Sequence, residues 1–162
     1  MSVLPHYVVG FDVETTGLNP LEGEIIEIAA IRFDTTTGKE VDRFVRLCKP
    51  KQPVSAMITS ITGITQEMVE NTLPFSEIRE ELALYIKNDQ LFAHNASFDV
   101  AWVTAHGVDL KDNLAWDTFW LASVALPTIE SYNLGQLAAH FGVTIRSEHR
   151  AAGDVGVTWE VL

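Results

Sequence analysis

The stretch "VVGFDVETTGL", residues 8–18, sets two acids into the far end of a run of β-prone apolar residues. Side chains alternate faces along a strand, so residues two apart share one face. Read as a strand, the stretch points the carboxylates of Asp12 and Glu14 the same way, beside a buried core. Like charges placed so closely repel each other and are costly to desolvate. Something must compensate them.

Outward from this stretch the chain alternates in character. Residues 6–14 read as a buried strand and "TGLNP" as a turn; residues 23–34 and 39–47 are two further strands, joined by the turn "TTTG". Short connections of this kind imply an antiparallel meander. "VSAMITSITGI" reads as a short helix ended by Gly63, "TQEMV" as another helical turn, and 74–87 as the clearest helix, with Pro74 at its start. A short strand at 90–95, a helix closed by Gly107, a fifth strand at 114–118 and the helices "TFWLASVAL" and "NLGQLAAHFG" follow. The order predicts an α/β fold with one mixed sheet flanked by helices.

Composition bounds the function. A chain of 162 residues that is 47% hydrophobic can bury one good core, so 1–162 reads as a single domain. No run of 18 apolar residues suggests a membrane span, and "MSVLPHYVV" lacks the pattern of a secretory leader. Cys48 is the only cysteine, which excludes an internal disulfide and a multi-cysteine zinc site. A soluble, cytoplasmic protein is expected. The formal net charge of −11 argues against a broad basic surface that grips phosphates. It leaves room for a nucleic-acid enzyme whose cations are bound metals.

Three stretches place acids where a core element meets a turn: "FDVETTG" with Asp12 and Glu14, "HNASFD" with Asp99, and "HRAAGD" with His149 and Asp154. Each alone has a plain structural reading. The first could be a solvated turn, the second a helix start capped by Asn95 or Ser97, the third an exposed helix opening where acids suit the dipole. Together they make a different case. Four converging carboxylates are tenable only around cations, and oxygen ligands of this type suit Mg²⁺ and Mn²⁺. Two such ions about 3.5–4 Å apart form the clamp used for phosphodiester displacement.

These motifs, in this order, resemble those of the DnaQ-like 3′–5′ exonucleases of the DEDDh type, a family that includes the proofreading epsilon subunit of DNA polymerase III. "FDVETTGL" is similar to the first exonuclease motif, "AHNASFD" to the second and "HRAAGD" to the third, while "DTFWLASVALP" and "YNLGQLAAHFGV" match the run between the last two. The resemblance implies a ribonuclease-H-like fold with a five-stranded mixed sheet. It implies two divalent ions, Mg²⁺ or Mn²⁺, held by Asp12, Glu14 and Asp154, with Asp12 bridging and Asp99 completing the site through water. His149 would be the general base, a task that suits an imidazole with an ordinary pKa of about 6.5. Five residues along a helix turn through roughly 500°. His149 is therefore expected in the loop or first turn before Asp154.

Thr15, Thr16 and Leu18 would meet the 3′-terminal nucleotide, by backbone amides and an apolar wedge, as in similar enzymes. Where many relatives carry His-Gly, this chain has Thr62-Gly63, a form that resembles exonuclease domains fused to helicases or built into replicative polymerases. The chain stops at Leu162, short of where family members finish the last helix, which implies a domain excised from a longer protein. Gly153 and Gly156 fall inside that helix at a cost of about 1 kcal/mol each, which close packing on the sheet would offset. Trp102, Trp116, Trp120 and Trp159 read as core rather than as base-stacking platforms, and His94 as an anchor of the strand end. His6, His106 and His140 read as surface or packing residues.

The expected activity is release of nucleoside 5′-monophosphates from a 3′ end, with single-stranded DNA favoured as substrate and a polymerase or helicase as partner or fused domain. The alternatives are an RNA or oligoribonucleotide 3′–5′ exonuclease and a non-catalytic nucleic-acid-binding module on the same fold. The second would predict loss of a carboxylate, and none is missing. A scaffold with coincidental acids is the remaining reading.

Overall fold

β1 (Tyr7–Thr15) is apolar on both faces and becomes the middle strand of the sheet. The computed structural model describes residues 5–145 and 150–162. β2 (Ile25–Asp34) pairs antiparallel with β1, and β3 (Lys39–Leu47) antiparallel with β2. On the other side β4 (Gln90–Ala93) runs parallel to β1, and β5 (Ala115–Asp117) parallel to β4. The order is β3-β2-β1-β4-β5, the expected five-stranded mixed sheet with its meander on one side.

Helices cover both faces, which is why β1 carries no polar face until Asp12. Val9, Phe11 and Val13 pack beneath α3 (Phe75–Ile86) and α4 (Ala96–Ala105), in one cluster with Ile78, Leu82, Trp102 and Val103. Val8 faces the other way, with Ala29, Ile31 and Phe92, and is covered by Ala151 and Val155 of α7 (Ala151–Val161). The smaller α1 (Ala56–Thr62) and α2 (Gln66–Val69) close a third cluster around Ile26. α5 (Thr118–Ala125) and α6 (Leu134–Phe141) complete the chain's helices among the described residues.

Gly10 explains how close α7 lies. A Cβ there would sit 2.7 Å from Val155 Cγ1 and closer still to the Phe92 ring, so only glycine fits between them. Gly156 is the reverse. The expectation of close packing fails there, because a Cβ at Gly156 would meet nothing within 4 Å. Trp102 is fully buried, and Trp159 stacks on Phe33 with ring centroids 4.6 Å apart. Trp120 departs from the core reading: on α5 it is 67% exposed, beside exposed Leu121 and Val124. Cys48 is buried, and burial chiefly pushes its thiol up to about 12, so it packs as an inert apolar group.

Candidate active site

The site forms where β1 runs out. Asp12 and Glu14 lie on the α7 side of the sheet by the two-residue alternation of the strand. The pairing with β2 shifts register between Glu14 and Thr15, which turns the chain away just past the second acid. α7 arrives from the other end of the sequence and carries Asp154 in its first turn. Carboxylate oxygens of Asp12, Glu14 and Asp154 come within 4.8 Å of one another. Residues far apart in sequence thus give one cluster of hard oxygen donors.

Asp99 stands outside that group of three. It lies in the first turn of α4, is 2% exposed, and its Oδ1 accepts the backbone N–H of Val13 at 3.0 Å. The pairing of β4 with β1 ends at Gly10–Phe92, so Val13 lies beyond the last strand partner on that side. Asp99 supplies the missing acceptor, and its charge is delivered beside Asp12. His149 lies outside the described residues; α7 begins at Ala151, two residues further on.

The electrostatics are those of crowded, buried acids. Burial is the largest cause that raises Asp12 well above the ordinary carboxylate range, followed by the charges of Asp99, Glu14 and Asp154. Glu14 is raised to about 8, chiefly by burial and then by Asp154 and Glu27, with Arg150 opposing. Asp99 is also raised to about 8 by burial, against the pull of the Val13 N–H. A divalent cation would offset both the burial and the mutual repulsion by favouring the charged forms, and three close carboxylates are the donor set that Mg²⁺ or Mn²⁺ takes.

The turn that follows is built mostly from its own bonds. Thr15 is buried and its hydroxyl donates to Gly17 O at 2.7 Å. Thr16 donates its N–H to Glu24 O at 2.9 Å, and its hydroxyl accepts the Glu24 N–H at 2.9 Å. Leu18 projects, 87% exposed, as does Leu21 at 86%. Thr62 turns inward: its hydroxyl donates to Ile58 O at 3.0 Å and accepts the Ile64 N–H at 3.1 Å, which finishes α1 ahead of Gly63. His94 holds Thr118 Oγ1 at 2.9 Å with Nδ1, the expected anchor at the end of β4.

Two acids that support the site escaped the reading of the sequence. Asp117 accepts the N–H groups of Asn95 and Ala96 at 3.0 Å each, and of Phe119 at 2.9 Å. It thereby caps α5 and fastens the start of α4, the helix that carries Asp99, with Asn95 held left-handed at φ 62°. An Asp directly before the apolar run "TFWLASVA" was a legible cap signal for α5, though not for α4. Glu27, inside the apolar run of β2, is the other.

Comparison with known proteins agrees with this arrangement. Residues 9–162 match the RNase T family, described as Exonuclease, and the chain belongs to that family. It is 35% identical over 159 residues to the PolC-type DNA polymerase III of Clostridium perfringens, covering 96% of this chain and 11% of that one. The corresponding Listeria monocytogenes polymerase is 34% identical over 160 residues, with 94% and 11% covered. The chain therefore spans about a tenth of the length of these relatives. Among solved structures, exonuclease X in complex with 5′-overhanging duplex DNA matches with TM-score 0.73 and 26% identity, over 95% of this chain and 87% of that one. A full-length 3′-exonuclease matches with TM-score 0.82 at 18% identity, over 96% and 79%, which supports the ribonuclease-H-like fold. No helix among the described residues is long and apolar enough to cross a membrane.

Proposed function

We propose that the protein is a metal-dependent 3′–5′ exonuclease that hydrolyses the terminal phosphodiester of a DNA strand and releases nucleoside 5′-monophosphates. The observation that carries this reading is the convergence of the Asp12, Glu14 and Asp154 oxygens within 4.8 Å, in a chain of the exonuclease family. Two divalent ions, Mg²⁺ or Mn²⁺, when bound, would supply the charge that activates water and steadies the leaving oxygen. Asp12, Glu14 and Asp154 hold them directly, and Asp99 completes the set from its buried position against Val13. His149 takes the proton of the attacking water as general base. Leu18 wedges against the terminal base, while Thr15 and Thr16 hold the turn that presents it.

DNA is favoured over RNA because the long relatives are DNA polymerases and exonuclease X, a neighbour at 26% identity, was solved with DNA. The same likeness supports a polymerase-fused or polymerase-bound domain that works in the cytoplasm. Incubation with 5′-labelled single-stranded DNA and RNA in Mg²⁺, Mn²⁺ or EDTA tests the whole reading. Ladders that shorten from the 3′ end of DNA, only with metal, are expected. Shortening of RNA alone would move the substrate class, and degradation in EDTA would sink the metal mechanism.

A further inference from the structure

Glu27 is the third residue of β2, between Ile26 and Ile28, and is 1% exposed. A carboxylate at such a place is costly unless its oxygens are fully engaged. They are engaged, and in one direction. Arg150 Nη2 donates to Oε1 at 2.6 Å, and Arg150 Nε lies 3.2 and 3.1 Å from the two oxygens. Oε2 also accepts the N–H of Ala151 at 2.9 Å. Ala151 opens α7, and the N–H groups of a first helical turn have no partner within their own helix. A strand therefore caps a helix that begins more than a hundred residues later.

The place of this cap matters more than its strength. In the sheet Glu27 is the register partner of Glu14, and α7 carries Asp154 three residues after Ala151. Glu27 thus links both sides of the gap that the cluster spans, its backbone paired beside β1 and its carboxylate bonded to the start of α7. The apolar contacts of Ala151 and Val155 hold α7 on the sheet, but such contacts have no strong direction. The two-point grip on a planar guanidinium has a defined geometry.

We propose that Glu27, acting through Arg150 and the Ala151 N–H, is a positioning residue for the carboxylate centre: it fixes the first turn of α7, and with it Asp154, at the separation from Asp12 and Glu14 that a divalent ion needs. The inference rests on the metal-dependent reading given above.

The test is Mn²⁺ binding by the whole chain, followed through the spectrum of free Mn²⁺ at a temperature well below every variant's melting point. Glu27→Gln keeps the volume and loses the charge and one acceptor. Its Mn²⁺ affinity should fall by about 10–100-fold, the usual loss when a partner behind the metal ligands is removed. The Mn²⁺ needed for half-maximal turnover should rise by the same factor, with KM for the 3′ end unchanged. Arg150→Lys keeps the charge without the grip and should show the same shift in smaller degree; it serves as the readout should Glu27→Gln not fold. Arg32→Gln is the control for lost stability. It breaks the Arg32–Asp89 bridge of 2.7 Å and the bond to Tyr85 O on the α3 side of the sheet, and should keep wild-type affinity. Wild-type affinity in Glu27→Gln, or an equal loss in Arg32→Gln, would overturn the proposal. A wild type that binds no Mn²⁺ would overturn the metal reading itself, and the first titration shows which has failed.

Discussion

Asp99 and Val13 are joined by a buried hydrogen bond of 3.0 Å, carboxylate oxygen to backbone N–H, across 86 residues of sequence. The fourth acid of the motif set is thus bonded to the strand that carries the first two. Its charge and its bonding role can be separated. Asp99→Asn keeps an oxygen for the Val13 N–H and removes the charge, whereas Asp99→Ala strands a buried donor, at a cost of about 1–3 kcal/mol. Denaturant melts of the metal-free protein should rank alanine well below asparagine. Both variants should lose most turnover. Equal melts would mean that the bond to Val13 contributes nothing.

The raised acids set a pH dependence with a definite sign. Glu14 and Asp99 stand at about 8, against ordinary values of 4.5 and 3.8, with burial as the main cause. Between those limits the folded chain holds more protons than the unfolded one, so stability falls as pH rises and levels off above the folded values. The melting temperature of the metal-free protein should therefore drop as pH rises from about 5 to about 8. Millimolar Mn²⁺ should remove much of the drop by taking the place of the protons. A flat metal-free profile over that range would contradict the burial of these two groups.

His149 and Asp12 should fail in different ways. As the proposed general base His149 would serve only the chemical step, so His149→Ala should lower turnover by roughly 10²–10⁴-fold. Its stabilisation by Mn²⁺ should stay close to wild type. Asp12→Ala removes the proposed bridging ligand, and metal stabilisation, end binding and turnover should fall together. Parallel thermal melts and rate measurements on the two variants separate the roles. Near-normal turnover in His149→Ala would end its assignment as the base.

The two glycines facing opposite circumstances give a stability test. Gly156→Ala adds a methyl into open space on a helix and should stabilise the fold by about 0.5–1 kcal/mol. Gly10→Ala drives a methyl into Phe92 and Val155 and should cost about 1–3 kcal/mol. Urea midpoints read both, and the signs matter more than the sizes.

What could be read from the sequence was whatever a local period or a short motif encodes. The alternation around Asp12 and Glu14 placed both acids on one face, and the turns at "TTTG" and "TGLNP" gave the meander. Asp99 and Asp154 came from motif order alone. Glu27 was missed although "IIEIAAI" carries a signal, since a lone acid in a buried run demands a partner. No local pattern says that the partner is Arg150, 123 residues away. Asp117 was absorbed into a strand reading because its work on α4 is equally non-local. Trp120 was assigned to the core on residue type, yet α5 turns it outward.

The long reach from β2 to α7 has a bearing on how the molecule acquires its activity. Asp12 and Glu14 belong to the first strand and Asp154 to a helix that begins at residue 151, so no partly folded chain can hold all three in register. Contacts of such sequence separation form only after the loop-closure entropy between them has been overcome. A nascent or unravelling copy without α7 in place thus lacks the three-carboxylate cluster. On the metal-dependent reading proposed above, hydrolysis would wait for the docking of that late helix.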